Sequence, residues 1–235
     1  MKTAILTGAS KGIGMAITER LISLGYKVYG VSRSFENSGY SHENFIKLEC
    51  DVLNTQELSR IIKNIESDES EINLLVNNAG VGFFAPHEQL KISDIQTMMR
   101  TNLEVPLILT QLLLRALKKS KGTVISISSV TAKKISTHGC AYAASKAGLS
   151  HFFASLFEEV RKYGVKVTTI HPDITRSNFY DRLDFTYEDE ADTALSADQV
   201  ADAVEYVLRT SDNMAVNDIT LRPQKNRIKR KHSPG

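Results

Sequence analysis

Short apolar runs alternate along this chain with longer stretches in which apolar residues return at helical spacing. The runs Ala4–Thr7, Val28–Val31, Phe45–Cys50, Leu74–Asn77, Thr123–Ser128, Lys166–His171 and Asp218–Leu221 are bounded by turn or polar residues and predict strands. Helices are predicted between most of them. Ile13–Leu24 stops at Gly25, Thr55–Glu66 follows Asn54, and Ala141–Tyr163 closes at Gly164. Ser93–Lys118 is long and holds Pro106, which predicts a kink or break. Ser196 with Gln199 forms a capping-box pattern for a helix over Ala197–Leu208. Strand and helix in alternation predict the α/β class: a doubly wound, mostly parallel seven-stranded sheet with helices on both faces. Ligands of such sheets bind at the carboxyl ends of the strands.

Composition narrows the picture. The chain has 235 residues, 42% of them hydrophobic, enough for one sizeable core, and no low-complexity linker divides it. The expected organisation is one domain over residues 1–221 and a basic tail over 222–235. Six of the 29 basic residues fall from Arg222 onward and none of the 27 acids do, so residues 1–221 carry 23 basic against 27 acidic groups. The body is mildly acidic, and the tail reads as a solvated, disordered end whose removal leaves the fold and any activity intact. The N-terminal residues lack the apolar stretch of a signal peptide, and Val105–Leu114 is too short to span a bilayer. A soluble cytoplasmic protein is expected. Cys50 and Cys140 give neither a disulfide framework nor metal-ligand spacing, so no metal is expected. Cys140 reads as a small buried thiol, or as lining a site because Tyr142 is two residues on.

The candidate chemistry begins at the first strand end. Thr7-Gly8-Ala9-Ser10-Lys11-Gly12-Ile13-Gly14 joins the first strand to the first helix. Such glycines let backbone approach a pyrophosphate, and the helix N-terminus offers free N–H groups and partial positive charge. An NAD site places an acid about 20 residues further on, for the ribose 2′-hydroxyl. Here that point reads Val31-Ser32-Arg33-Ser34, with a cation instead of an acid. Arg33 with Lys11 suits a 2′-phosphate and hence NADP(H); the alternative is a solvated arginine. On the predicted helix after the fifth strand, Tyr142 and Lys146 stand four apart and face the same way. An ammonium beside a phenol favours the phenolate, which makes a usable acid/base at neutral pH.

Together these motifs resemble the short-chain dehydrogenase/reductase family over nearly all of residues 1–221. The matching segments are Thr7-Gly8-x-x-x-Gly12-x-Gly14, Asp51-Val52, Asn77-Asn78-Ala79-Gly80, Asn102, Ser128-Ser129 and Tyr142-x-x-x-Lys146. The resemblance implies a Rossmann-type fold and hydride transfer between nicotinamide and a carbonyl or alcohol. It implies that Tyr142 is the acid/base, that Ser129 holds the substrate oxygen, and that Lys146 lowers the tyrosine pKa and binds the ribose. Asn102 would position a relay water. Ser128 is the less suitable serine, because neighbours on a strand point to opposite faces. Cofactor contacts are implied for Gly8, Ser10, Lys11, Gly12, Ile13, Gly14, Arg33, Asp51, Val52, Asn78, Ala79, Gly80, Tyr142 and Lys146. In the nicotinamide-side segment the same holds for Pro172, Thr175 and Ser177. Two departures stand out: Asp173 where the family often has glycine, and Ala132 where a glycine is usual.

Pocket walls are expected from Val81–His87, Val130–His138 and Phe179–Tyr187. The last reads either as a mobile lid, with Phe179, Tyr180, Leu183, Phe185 and Tyr187 inside and Asp181, Asp184, Glu188, Asp189 and Glu190 outside, or as a surface helix. His87 and His138 could touch substrate or be solvated. The expected partner is a small-molecule carbonyl or alcohol, with a homodimer or homotetramer as the assembly. Three other readings remain: a 3-oxoacyl-thioester reductase of lipid synthesis, a non-catalytic NADP(H)-binding regulator, and a nucleic-acid binder acting through the tail. Nucleic acid is disfavoured because the tail has no aromatic to stack on bases.

Overall fold

Strands buried on both faces need helices above and below, and the computed structural model supplies both. It describes residues 1–36, 38–181, 183–225 and 227–231; Asn37, Arg182, Asn226 and the tail residues 232–235 lie outside the described residues. Seven strands form one parallel sheet: β1 (Lys2–Thr7), β2 (Tyr26–Ser32), β3 (Phe45–Glu49), β4 (Leu74–Asn77), β5 (Thr123–Ile127), β6 (Lys166–Pro172) and β8 (Asp218–Leu221), in the order β3-β2-β1-β4-β5-β6-β8. The order reverses between β1 and β4, and the site is built there.

Two apolar layers hold the sheet. On one face α1 (Gly12–Ser23) and α6 (Ala197–Leu208) cover Ala4, Leu6, Val28, Val76 and Ile125. On the other α2 (Thr55–Asp68), α4 (Val105–Ser120) and α5 (Cys140–Val160) cover Ile5, Val31, Leu75, Val124 and Val167. Ser196 and Gln199 form the expected capping box, and Asn54 Oδ1 caps α2. The helix expected over residues 93–118 is two helices, α3 (Ile92–Met99) and α4, joined by a π-helical turn over Arg100–Glu104. Pro106 explains the break, since it cannot donate to the carbonyl of Asn102 four residues back. Wide turns of this kind often mark functional positions, and Asn102 lies inside this one.

Three elements of the lid and tail were not expected. Residues 178–180 form a short 3₁₀ turn, and β7 (Phe185–Tyr187) pairs antiparallel with β9 (Ile228–Arg230). The lid is therefore no surface helix, and the described tail is no disordered end. The reason lies in charge. Lys225 reaches Asp192 at 2.9 Å, Arg227 reaches Glu190 at 3.5 Å, and Lys229 reaches Asp189 at 3.3 Å. The Lys231 N–H donates to the carbonyl of Asp184 at 2.7 Å. The acids that read as a lid rim thus receive the basic tail. Cys140 also departs from expectation, being exposed at the start of α5. Among the described residues, no helix is long and apolar enough to cross a membrane.

Removing residues 224–235 should leave the seven-stranded sheet intact but free the lid. Exposed ion pairs are worth about 0.2–1 kcal/mol each, so Tm should fall by only a few degrees. Amide exchange over residues 185–187 should accelerate at least about tenfold, and 0.5 M salt should reproduce part of that effect in the full chain. Unchanged exchange in the truncated protein would show that the strap does not hold the lid.

Candidate active site

The site starts at a tie between two strand ends. The Asn78 and Ala79 N–H groups both donate to Thr7 Oγ1 at 3.1 Å, and Asn78 Nδ2 donates to the carbonyls of Thr7 (3.0 Å) and Gly8 (3.2 Å). Gly8 takes φ +70°, a region that favours glycine, and its N–H donates to the Val31 carbonyl at 2.8 Å. Gly14 has no room for a side chain: a Cβ would sit 1.9 Å from the Gly8 carbonyl oxygen. These contacts fold the turn of residues 8–14 tightly over β1.

The residues expected to hold a cofactor gather around this turn. Lys11 precedes α1 without giving it a side-chain cap. The Ser10 N–H donates to Ser32 Oγ at 3.1 Å, which draws the end of β2, and Arg33 after it, to the turn. Lys11 and Arg33 are both exposed. A shallow groove of about 340 Å³ runs beside Lys11, lined in part by Ser10, Gly12, Glu19 and Tyr40 as well. Asp51, exposed after β3, accepts the Leu53 N–H at 3.0 Å, while Val52 packs into the core. After β6 the chain returns to the turn, since a Cβ on Gly12 would lie 3.2 Å from Ser177 Cβ. Pro172 ends β6, and Thr175 Oγ1 donates to the Asp173 carbonyl at 2.8 Å. Asp173 has no left-handed backbone, and its Oδ1 accepts the Ile174 N–H at 2.9 Å. The substitution for glycine therefore leaves an ordinary turn there.

The expected catalytic groups meet beside β5. Ser129 begins a 3₁₀ turn over Val130–Ala132; its Oγ accepts from Thr131 Oγ1 at 3.0 Å, and it lies near enough to the Tyr142 hydroxyl to act on that group's pKa. Ser128 faces away, with its Oγ bonded to the Lys146 carbonyl (3.1 Å) and to Ser150 Oγ (3.0 Å). Lys146 Nζ donates to the Ile127 carbonyl at 2.9 Å and lies 5.9 Å from the centre of the Tyr142 ring. Asn102 is fully buried. Its Oδ1 accepts the Val81 N–H (2.9 Å), and its Nδ2 donates to the Val81 carbonyl (2.8 Å) and Ser145 Oγ (3.0 Å). Gly80 lies between these groups, where a Cβ would approach Lys146 Nζ at 3.3 Å and Asn102 Oδ1 at 3.4 Å.

Burial dominates the electrostatics. It lowers the Lys146 ammonium to a pKa of about 8. The expected lowering of the Tyr142 pKa is not what this geometry gives. Burial pushes the phenol up, Tyr180 adds to the rise, and the neighbouring Ser129 hydroxyl only partly opposes it. Phe84 and Phe179 cover the Tyr142 ring at centroid distances of 5.2 and 5.7 Å.

Sequence reasoning missed several members of the site. His171 is fully buried behind Ser129, with Nδ1 3.2 Å from the Ser129 carbonyl and Nε2 2.9 Å from Asp218 Oδ2. Its pKa is lowered, chiefly by burial. A polar residue at the end of an apolar strand was the available signal. Ser145 and the Ile127 carbonyl were also not foreseen, whereas the covering ring of Phe84 belongs to the pocket wall expected over Val81–His87. His87 and His138 are both exposed.

The buried ammonium has a measurable consequence. An unfolded lysine holds its proton to about pH 10.5, whereas Lys146 releases it near pH 8 in the folded state. Between those values the unfolded chain binds more protons, so this group makes stability rise with pH. Urea unfolding at pH 7.5 and pH 9.5 should show wild type gaining about 2 kcal/mol relative to Lys146→Met over that interval. Parallel pH profiles for the two proteins would mean that Lys146 is not desolvated.

Comparison with known proteins places this arrangement. A family model described as short chain dehydrogenase matches residues 2–187. The chain is 29% identical over 232 residues to serine 3-dehydrogenase of Rhizobium radiobacter, covering 94% of this chain and 93% of the relative. It is 35% identical over 187 residues to a 3-oxoacyl-[acyl-carrier-protein] reductase of Salmonella typhimurium, covering 75% and 76%. Among solved structures it is similar to a metagenomic short-chain oxidoreductase in complex with NADP, with a TM-score of 0.79, 28% identity, and coverage of 94% and 96%. The chain belongs to the short-chain dehydrogenase/reductase family of oxidoreductases.

Proposed function

We propose that this protein is an NADP(H)-dependent oxidoreductase that interconverts a ketone or aldehyde and its alcohol, with Tyr142 as the acid/base. The observation that carries this reading is the buried Tyr142 with Ser129 near its hydroxyl and the buried Lys146 ammonium 5.9 Å from its ring centre. The residues fit the cofactor. The turn around Gly8 and Gly14 is folded tightly enough for backbone approach, the N-terminus of α1 lacks a side-chain cap, and Lys11 and Arg33 are exposed beside it. Gly8, Ser10, Gly12, Ile13 and Gly14 would hold the pyrophosphate side. Lys11 and Arg33 would hold the 2′-phosphate, with Asp51, Val52, Asn78, Ala79 and Gly80 around the adenosine. Pro172, Thr175, Ser177 and Lys146 would hold the nicotinamide side. When bound, the nicotinamide supplies or accepts a hydride.

The chain's own groups do the rest. Ser129 Oγ donates to the substrate oxygen and stabilises charge developing there. Tyr142, kept protonated by burial, donates its proton to that oxygen in the reducing direction. Lys146, anchored on the Ile127 carbonyl, is the cation that offsets the phenolate left behind. Asn102 and Ser145 fix the turn at Val81 and Gly80 beside Lys146, where a relay water would sit. The names of the relatives suggest two narrower readings, an amino-acid alcohol or a 3-oxoacyl thioester as substrate.

Tyr142→Phe should lower turnover at least about 10³-fold while keeping NADPH affinity within a few-fold. The chain has no tryptophan, so a titration reads the fluorescence of NADPH without that background. Retained turnover would remove Tyr142 from the acid/base role. NADPH should be favoured over NADH, and Arg33→Asp should narrow or reverse the ratio of kcat/KM values, since it exchanges a phosphate partner for a repelling carboxylate. Equal efficiency of the two cofactors in wild type would end the NADP(H) assignment.

A further inference from the structure

Four aromatic side chains stand in contact over the proposed acid/base. Phe84 and Phe179 lie on the Tyr142 ring. Phe185 packs edge-on to Phe84 at 5.2 Å, and Tyr180 packs edge-on to Phe179 at 5.4 Å and to Phe185 at 5.8 Å. The backbone is shaped around two of these rings. A Cβ on Gly82 would lie 2.5 Å from the Phe179 ring, and one on Gly139 would lie 3.0 Å from the Phe84 ring. The rings come from separate segments, the loop after β4 and the lid after β6, so the cage is made by tertiary structure and is not a local run of aromatics. A substrate whose oxygen reaches Ser129 and Tyr142 must part these rings and take their place against one another.

The nearby cations are held elsewhere. Lys134 Nζ is 3.3 Å from the Asp173 carboxylate. Arg176 donates to the carbonyls of Asp189 (3.3 Å) and Glu190 (2.6 Å), with its guanidinium 5.7 Å from the Tyr187 ring centre. Lys146 is turned onto the Ile127 carbonyl. The Asp173 carboxylate is close enough to Tyr180 to raise its phenol pKa. A carboxylate seated among these rings would lose its water with no unpaired cation among the described residues in exchange, which is costly. An aromatic or branched apolar group would lose little, and edge-to-face contacts favour a ring.

We infer that the substrate is an uncharged ketone or aldehyde bearing an aromatic or bulky apolar group, seated between Phe84 and Phe179, and that these two residues set the specificity. The inference rests on the proposed carbonyl–alcohol activity and names its substrate class. Each turnover adds a hydride to the carbonyl carbon and a proton from Tyr142 to the oxygen, giving the alcohol, while NADPH becomes NADP⁺ and Tyr142 regains a proton from water. An amino acid such as serine, with its fixed carboxylate, is disfavoured.

The test uses the full-length protein and a matched pair with one skeleton, methyl benzoylformate and benzoylformate, reduced with NADPH. The neutral ester should have kcat/KM on the order of 10²-fold higher. A binding readout runs beside it: 1-phenylethanol and serine titrated by calorimetry into Tyr142→Phe, which cannot turn over. 1-Phenylethanol should bind and serine should not. Adding Phe179→Ala or Phe84→Ala should weaken 1-phenylethanol about tenfold, with Tm and NADPH affinity showing that the variants remain folded. Equal or better use of benzoylformate, or serine binding as tightly as 1-phenylethanol, would overturn the inference. So would an unchanged Kd in both ring variants. Should no carbonyl or alcohol react with either cofactor, the proposed activity fails, and the calorimetry still decides whether the cage takes neutral aromatic ligands.

Discussion

The hydrogen bonds from Asn78 and Ala79 to Thr7 and Gly8 are the constraint on which the rest of the site depends. They lock the end of β4 to the end of β1 at the point where the strand order reverses. One consequence is the tight turn into α1, whose Gly14 approaches the Gly8 carbonyl more closely than any side chain would permit. The other runs forward along the chain. With Asn78 fixed, Gly80 is brought against Lys146 and Asn102, and Val81 exchanges two hydrogen bonds with the Asn102 amide. The proposed dinucleotide side and the proposed acid/base side are therefore one hydrogen-bonded unit spanning β1, β4, the π-helical turn and α5.

That unit sits in tension with its own burial. An ammonium and a phenol that function together must both be removed from bulk water, and removal disfavours the charged form of each. Here Lys146 is drawn down to about 8 and Tyr142 is pushed up. The spacing of a tyrosine and a lysine on a helix gives only the attractive half of this balance. The opposing half comes from Phe84 and Phe179, distant in sequence, which close over the ring.

The sheet was legible because its signals are local. Each of the seven strands is a short apolar run between turn residues, and the observed ends lie within two residues of the expected ones. The break between α3 and α4 follows from Pro106, although its form, a π-helical turn around Asn102, does not follow from proline alone. The juxtaposition of Ser129, Tyr142 and Lys146 was legible through family resemblance and strand alternation. What could not be read was whatever depends on long-range contact. His171 reports a partner only once β8 brings Asp218 beside β6. β7 and β9 are three residues each, too short for a periodic signal, and β9 lies in a tail whose composition alone argues for disorder.

The tail and the lid explain each other through charge. Neither segment buries much: the side chains of Lys225, Arg227 and Lys229 remain 51–58% exposed in their ion pairs. Solvent screens such pairs, so each contributes little, and three residues of strand pairing add only a short ladder. Weakness suits the position. Under the proposed function, a lid whose aromatic face covers Tyr142 must release it for substrate to enter, and a strongly packed strap would hold it shut. Several weak pairs between a basic tail and an acidic lid give a closed state that is specific in register and low in cost to open. Part of the charge asymmetry between the two ends of the chain is thus taken up within the chain, because Lys225, Arg227 and Lys229 are paired with Asp192, Glu190 and Asp189.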